Sequence, residues 1–256
     1  MPAPENPFKK ALAAGDMLYG CWAGFADAYA TEILGTAGFD WLVLDGEHAP
    51  NDVRSLSVQI QALQGSASHP VVRVPIGEDW IIKQVLDAGA QSLLVPMVDT
   101  AEQTQALVKA MRYPPEGVRG SGAALARASG FGAIPDYITT ANDQMCLIVQ
   151  IESRAALENL DAICAIDGVD AAFIGPSDLA NDMGYRGDAT QPEVMDAMQD
   201  ALARIKASGK APGILAVDQD TALMYRDWGG QMLAVGIDVL LFAQSARALA
   251  AKWRDG

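Results

Sequence analysis

The chain has 256 residues, half of them hydrophobic, and carries 18 Lys+Arg against 32 Asp+Glu, a formal net charge of −14. That length buries a core without disulfide or metal staples and suits one α/β barrel. The acidic balance opposes nucleic-acid binding, which needs Lys and Arg to displace phosphate counterions, and no apolar run approaches a membrane span.

Met1 to Lys10 lacks the apolar core of a signal peptide. Cys21, Cys146 and Cys164 show no C-x-x-C spacing and sit in or beside apolar runs, so buried, reduced thiols and a cytoplasmic location are expected.

Short apolar runs predict strands at Leu18–Trp22, Trp41–Leu44, Val71–Val74, Ser92–Pro96, Leu147–Ile151, Ala171–Ile174, Gly213–Val217 and Val239–Phe242. Most are continuous rather than alternating, as in parallel strands covered on both faces. Amphipathic stretches lie between them. Glu102–Met111 gathers Ala106, Leu107 and Ala110 on one side, and Glu193–Ala207 spaces Val194, Met198, Ala201, Leu202 and Ile205 helically before Gly209. Thr221–Asp227 is a shorter helix candidate. Eight strands alternating with helices predict a (β/α)8 TIM barrel over residues 1–256, read as one domain. The rival, a doubly wound sheet, lacks its G-x-G-x-x-G signature here. After the fourth run comes a Gly/Pro-rich excursion at 113–137 with Arg119 and Arg127. A loop of that length is either an active-site segment or a solvated or intersubunit excursion.

In such a barrel the chemistry gathers where strands end. The polar residues at those places are Trp22; Asp45, Glu47 and His48; Arg73; Gln150 and Glu152; Ser177 and Asp178. Glu152 and Asp178 follow consecutive strands. Two converging carboxylates suit a hard divalent ion, Mg²⁺ or Mn²⁺, and the bland alternatives are a surface acid and a helix N-cap. Arg73 is a charge inside "VVRVP", so it answers Asp45 or Glu47 structurally or faces a substrate oxyanion. Gln150 in "LIVQIE" is equally open. His48 is one of two histidines and is structural, a metal ligand or a general base; His69 sits in an expected loop, so His48 is the better acid/base candidate. A nucleophilic mechanism has little support, because no G-x-S-x-G elbow and no strand-end lysine occurs.

"FDWLVLDGEHAP", "PVVRVP", "LDAGAQSLLVPMV", "RYPPEGVRGSGAALARAS", "NDQMCLIVQIES" and "VDAAFIGPSDLANDMGY" together resemble the HpcH/HpaI aldolases, from Phe8 to about Ala251. These are metal-dependent pyruvate aldolases, typified by 4-hydroxy-2-oxoheptane-1,7-dioate aldolase. The resemblance implies a barrel of the phosphoenolpyruvate/pyruvate type and a homohexamer of paired trimers, with the C-terminal helix exchanged between subunits. Glu152 and Asp178 would hold the ion (Mg²⁺, Mn²⁺ or Co²⁺), and no organic cofactor is needed. Gln150 and the main chain at Ser177 would bind the oxo acid. Arg73 would stabilise the enolate oxygen, His48 would be the acid/base, and Asp87 in "QVLDAGA" would raise its basicity. Trp22 and Leu215 join the substrate-binding set.

The implied reaction is reversible cleavage of a 4-hydroxy-2-oxo acid to pyruvate, or hydroxypyruvate, plus an aldehyde, with oxaloacetate decarboxylation as a side activity. "GILAVDQD" and "VLLFAQSA" match more loosely, which leaves the aldehyde open. A sugar-acid aldolase of the 2-dehydro-3-deoxy-glucarate type is a second reading. A non-catalytic, carboxylate-binding or structural oligomeric barrel is a third.

Overall fold

The computed structural model describes residues 1–254. Eight parallel strands close a barrel in chain order. They are β1 (Leu18–Ala23), β2 (Trp41–Asp45), β3 (His69–Arg73), β4 (Ser92–Val95), β5 (Cys146–Ile151), β6 (Val169–Ile174), β7 (Ala211–Leu215) and β8 (Met232–Ile237). The helices are α1 (Pro7–Ala14), α2 (Ala28–Gly35), α3 (Val53–Ala62), α4 (Asp79–Asp87), α5 (Ala101–Met111), α6 (Tyr137–Thr140), α7 (Arg154–Glu158), α8 (Leu160–Cys164), α9 (Pro176–Asp182), α10 (Pro192–Ala207), α11 (Gln219–Asp227) and α12 (Asp238–Arg254). The expected (β/α)8 architecture is the observed one.

Period two sorts the strand side chains into two cores. Leu42, Leu44, Val72, Leu93, Leu147, Val149 and Ile174 point outward and pack with Leu56, Ile60, Ile82, Leu86, Leu179 and Leu202 of the helices. Trp41, Val43, Val71, Leu94, Ile148, Phe173, Met232 and Ala234 point inward and fill the barrel. Trp41 and Phe173 cross edge to face with centroids 6.3 Å apart. The inward row thus continues upward in a fixed register: Trp41, Val43, then Asp45; Val71, then Arg73; Ile148, then Gln150.

The barrel floor is closed by α1. Asn6 caps this helix by accepting the Lys9 N–H at 3.0 Å, Pro7 opens it, and Gly15 ends it at φ 82°. Its Phe8 stacks on His69 with centroids 5.3 Å apart and planes 5° from parallel. His69 Nε2 meets Ser92 Oγ at 2.9 Å, and Asn6 Nδ2 donates to the same hydroxyl at 3.1 Å. His69 is therefore the first residue of β3 rather than part of a loop before it.

One strand lies elsewhere than expected. Val239–Phe242 belongs to α12, and the eighth strand is Met232–Ile237. A short apolar run fits a buried strand and a helix equally well. Val239, Leu241 and Phe242 are 41%, 49% and 66% exposed, so that run is apolar for a reason other than the barrel interior. The excursion carries a 3-10 turn at Arg127–Ser129 and is tied to the end of α4: Arg119 Nη2 donates to Asp87 Oδ1 at 2.7 Å, and Arg127 Nη1 to Ala88 O at 3.2 Å. Within one chain both arginines therefore sit where helices end, at the opposite face from the strand ends.

Burial pushes the His69 pKa down from its ordinary 6.5 to about 4. Between those values the unfolded chain binds a proton that the folded chain refuses, so stability falls as pH falls through this window. A melting-temperature series for the native chain and His69→Gln should converge toward acid pH. A gap independent of pH from 7 to 4 would contradict it.

Candidate active site

The top inward layer of the barrel is polar. Trp22, Asp45, Arg73, Gln150, Ser177, Asp178 and Leu215 line one cleft of about 590 Å³ with His48 on its lip. Of the expected residues, Glu47, Glu152 and Asp87 are not among its lining. Glu152, just past the end of β5, is bonded to Gln150; Asp87 lines a different cleft.

Asp45 and Arg73 are register partners at the ends of β2 and β3. Arg73 is 6% exposed, and its Nε and Nη2 donate to Asp45 Oδ1 and Oδ2 at 2.9 and 2.7 Å. Glu47 Oε2 lies 2.8 Å from Arg73 Nη1, near enough for ion pairing. That oxygen is buried yet has no aligned hydrogen-bond donor. The guanidinium lies 5.1 Å over the Trp22 ring. The charge inside an apolar strand is thus paired with both acids that the sequence offered it, while it still faces the cleft. Burial works against ionising Asp45, but the Arg73 hydrogen bonds and charge, with the Glu47 and His48 N–H groups, outweigh it and hold the carboxyl below its ordinary range.

The turn after β2 delivers His48. Gly46 donates its N–H to Arg73 O at 2.8 Å, and a Cβ at Gly46 would stand 2.6 Å from that oxygen. Glycine is required by this close approach to β3, not by an unusual φ. Asn51 Nδ2 closes the turn on Asp45 O at 2.8 Å, and Asp52 then caps α3. The His48 side chain is 66% exposed and 3.9 Å from Glu47, free to reach ligand and solvent.

Glu152 follows β5 and is 3% exposed, so it is no surface acid. Its Oε1 accepts the Met97 N–H at 2.7 Å, and its Oε2 accepts from Gln150 Nε2. Met97 holds φ 54°, a costly conformation for that residue, and this aims its N–H at the carboxylate. Asp178 is the third residue of α9; the N-cap is Gly175 and no side chain caps the helix. The N-cap reading of Asp178 therefore fails, and its carboxylate is left at the rim. Burial first, then Glu47 and Asp178, push Glu152 up to about 7.

The site has an excess of negative charge. Four acids, Asp45 and Asp178 in the cleft lining with Glu47 and Glu152 beside it, meet Arg73, the single Lys or Arg among the lining residues. The buried unpartnered atoms here, Glu47 Oε2 and Gln150 Oε1, are both acceptors. Hard oxygen donors, surplus negative charge and a lone carboxylate pair fit a divalent cation. No group of three or more His, Cys, Asp or Glu side chains with metal-holding geometry occurs among the described residues. Glu152 and Asp178 would be the protein's share, with the remaining positions open.

Residues 18–245 match the family model described as HpcH/HpaI aldolase/citrate lyase. The chain belongs to this family. It is 67% identical over 254 residues to the hydroxypyruvate/pyruvate aldolase of Roseovarius nubinhibens, covering 99% of both chains. It is 51% identical to the 4-hydroxy-2-oxo-heptane-1,7-dioate aldolase of Escherichia coli, covering 97% of this chain and 95% of that one. The crystal structure of a family member from Burkholderia cenocepacia superposes with a TM-score of 0.94 at 39% identity, covering 97% of this chain and 99% of that chain. The expected enzyme class, a carbon–carbon lyase of the aldolase type, follows from these matches. A structure similar in fold, the citrate lyase beta subunit from M. tuberculosis, 16% identical with a TM-score of 0.60 and covering 89% of this chain and 93% of that chain, is complexed with oxaloacetate and magnesium.

Strand-end reasoning found most of the cleft but not the contacts that hold Glu152. Asp45 and Glu47 were visible as possible partners of Arg73, and both pair with it. Met97 and Gly175 gave no signal, since one acts through its main chain and the other through a missing side chain. A Cβ at Gly175 would come 2.6 Å from Glu152 Oε2 and 3.0 Å from Gln150 Nε2. Gly175→Ala should therefore displace the Glu152 carboxylate, weakening Mn²⁺ binding by calorimetry about tenfold or more while the melting temperature changes little. Unchanged affinity would show that the carboxylate is free to shift.

Proposed function

We propose that this chain is a divalent-metal-dependent aldolase that reversibly cleaves 4-hydroxy-2-oxo acids to pyruvate or hydroxypyruvate plus an aldehyde. The observation that carries this reading is a clamped, cleft-facing arginine beside a surplus of carboxylates. Cleavage of the C3–C4 bond leaves its electron pair on the oxo-acid half as an enolate, while the proton of the 4-hydroxyl is given up. The enolate then takes a proton at C3.

Glu152 and Asp178 would hold the cation, which when bound supplies Lewis-acid polarisation of the 2-oxo group. Arg73 places positive charge where the enolate oxygen develops. Gln150 and the main chain at Ser177 orient the oxo acid. His48, exposed on its turn, carries the proton between the 4-hydroxyl and solvent. Loss of carbon dioxide from oxaloacetate gives the same enolate and accounts for the decarboxylase side activity. Trp22 and Leu215 wall the cleft, joined by Ile237 and Val239. These apolar walls offer the aldehyde chain little charge to select by, which supports a broad choice of aldehyde.

The same proposal includes the assembly. Asp238 is the one buried residue of α12 among those described, while Phe242, Leu249 and Trp253 are 66%, 60% and 80% exposed. An apolar helix left bare supports its exchange between subunits of a homohexamer. His48 and Asp87 line different clefts of one chain, so the pairing implied for them would form between subunits. The three free, buried cysteines suit a reducing, cytoplasmic setting.

Exhaustive chelation should abolish aldol cleavage, and Mg²⁺, Mn²⁺ or Co²⁺ should restore it. Glu152→Ala should weaken binding of the ion in calorimetry while leaving the circular-dichroism spectrum of the barrel intact. Full activity after verified metal loss would end the metal reading.

His48→Ala should lower the aldolase kcat by about 10²–10⁴-fold, the range for a positioned acid/base. Oxaloacetate decarboxylation removes no hydroxyl proton and should be largely kept. Equal losses in the two reactions would assign His48 to the cation or the enolate instead.

A further inference from the structure

One carboxylate reaches three parts of the rim at once. Asp45 is 4% exposed. Its Oδ1 accepts from Arg73 Nε at 2.9 Å and from the main-chain N–H groups of Glu47 and His48 at 3.0 and 3.2 Å. Its Oδ2 accepts from Arg73 Nη2 at 2.7 Å and from Trp22 Nε1 at 3.2 Å. An ionised carboxylate offers about four lone-pair sites, and five donors already point at them. Asp45 therefore has no acceptor capacity left for a substrate proton.

We propose that Asp45 is a positioning residue that holds the Arg73 guanidinium, the Trp22 indole and the His48 turn in one reactive arrangement. The proposal rests on the role given above to Arg73. The guanidinium has five N–H groups in a rigid plane. Asp45 grips the edge formed by Nε and Nη2, which stops rotation in that plane. The Trp22 ring lies under the same guanidinium and opposes tilting out of it. What stays free is the end of the fork, the outer hydrogen of Nη2 with those of Nη1. Glu47 stands beside Nη1 without an aligned hydrogen bond, so these hydrogens are not committed. A fork fixed in this way meets a developing oxyanion without first reorganising. The same carboxylate sets the start of the turn that carries His48, which couples the proton carrier to the enolate partner through a single buried group.

Oxalate, a planar dianion resembling the enolate, separates this role from general support of the fold. On the Mn²⁺-loaded enzyme, Asp45→Asn should weaken oxalate binding by about ten- to a hundredfold and pyruvate binding by about threefold or less, because misplacing a charge by an ångström penalises the charged species most. The aldolase kcat should fall in parallel with oxalate affinity. In an Arg73→Ala background the same substitution should weaken oxalate no further, since Asp45 acts on the enolate only through Arg73. Equal loss of oxalate and pyruvate affinity, a further loss in the double variant, or unchanged oxalate affinity would each overturn the proposal. Arg73→Ala alone keeps the two readings apart. If it leaves oxalate binding intact, the role of Arg73 fails; if it weakens oxalate and Asp45→Asn does not, only the role of Asp45 fails. Asp45→Ser, which keeps an acceptor for the turn N–H groups, is the second variant. Should neither variant fold, Asp45 is a folding residue and the assignment is withdrawn.

Discussion

The buried pair of Asp45 and Arg73 is the interaction on which the upper end of the barrel depends. Two ions taken out of water are tolerated only where geometry is good and the remaining hydrogen-bond groups are used. Both conditions hold: the contact is bidentate, and the spare capacity of the carboxylate goes to Trp22 and to the turn after β2. Removing one partner of such a pair typically costs about 3–5 kcal/mol, because the other is left buried and uncompensated. A large part of the stability of a domain is therefore committed at the place where the chemistry happens. An apolar pair of similar volume would serve the fold as well; a cation facing the cleft is what the proposed reaction calls for.

The same end of the barrel keeps an electrostatic imbalance that the fold alone does not require. Glu47 and Glu152 are both pushed above their ordinary carboxyl values by burial, with neighbouring carboxylates adding to it. Glu152 is nevertheless held firmly, by Gln150 and by a main-chain N–H that Met97 can offer only from a left-handed conformation. Repulsion of this kind would be relieved by positive charge at that spot, as the proposed cation would supply. The apolar layers below, Val43, Val71, Ile148 and Phe173, keep water out of the barrel and strengthen every charge interaction above them.

The two ends of the molecule divide the work. The floor is sealed by α1, with Phe8 on His69 and Asn6 on Ser92. Asp87, half-buried, and Arg119, buried, form a second ion pair near that end, with Arg119 stacked 4.4 Å over Tyr113. That pair anchors the excursion to α4, so the long Gly/Pro-rich segment is a fastened element of the body rather than a free loop over the cleft of its own chain.

The sequence by itself determined the barrel, because eight apolar runs separated by helical periods admit few other packings. It determined most of the rim as well. Asp45, Arg73 and Gln150 stand two residues beyond buried strand positions, and period two then places them inward at the open end. What it did not determine was the eighth strand. Met232–Ile237 and Val239–Phe242 are both short and apolar, and only closure of β8 onto β1 and β7 decides between them. Contacts made through the main chain were equally silent: the Met97 N–H on Glu152, the close approach of Gly46 to Arg73 O, and the bare Gly175 under Glu152. Side-chain periodicity records which face a residue takes. Which backbone groups and which distant charges meet there is set by how the strands curve around the closed barrel, and that only the tertiary structure decided.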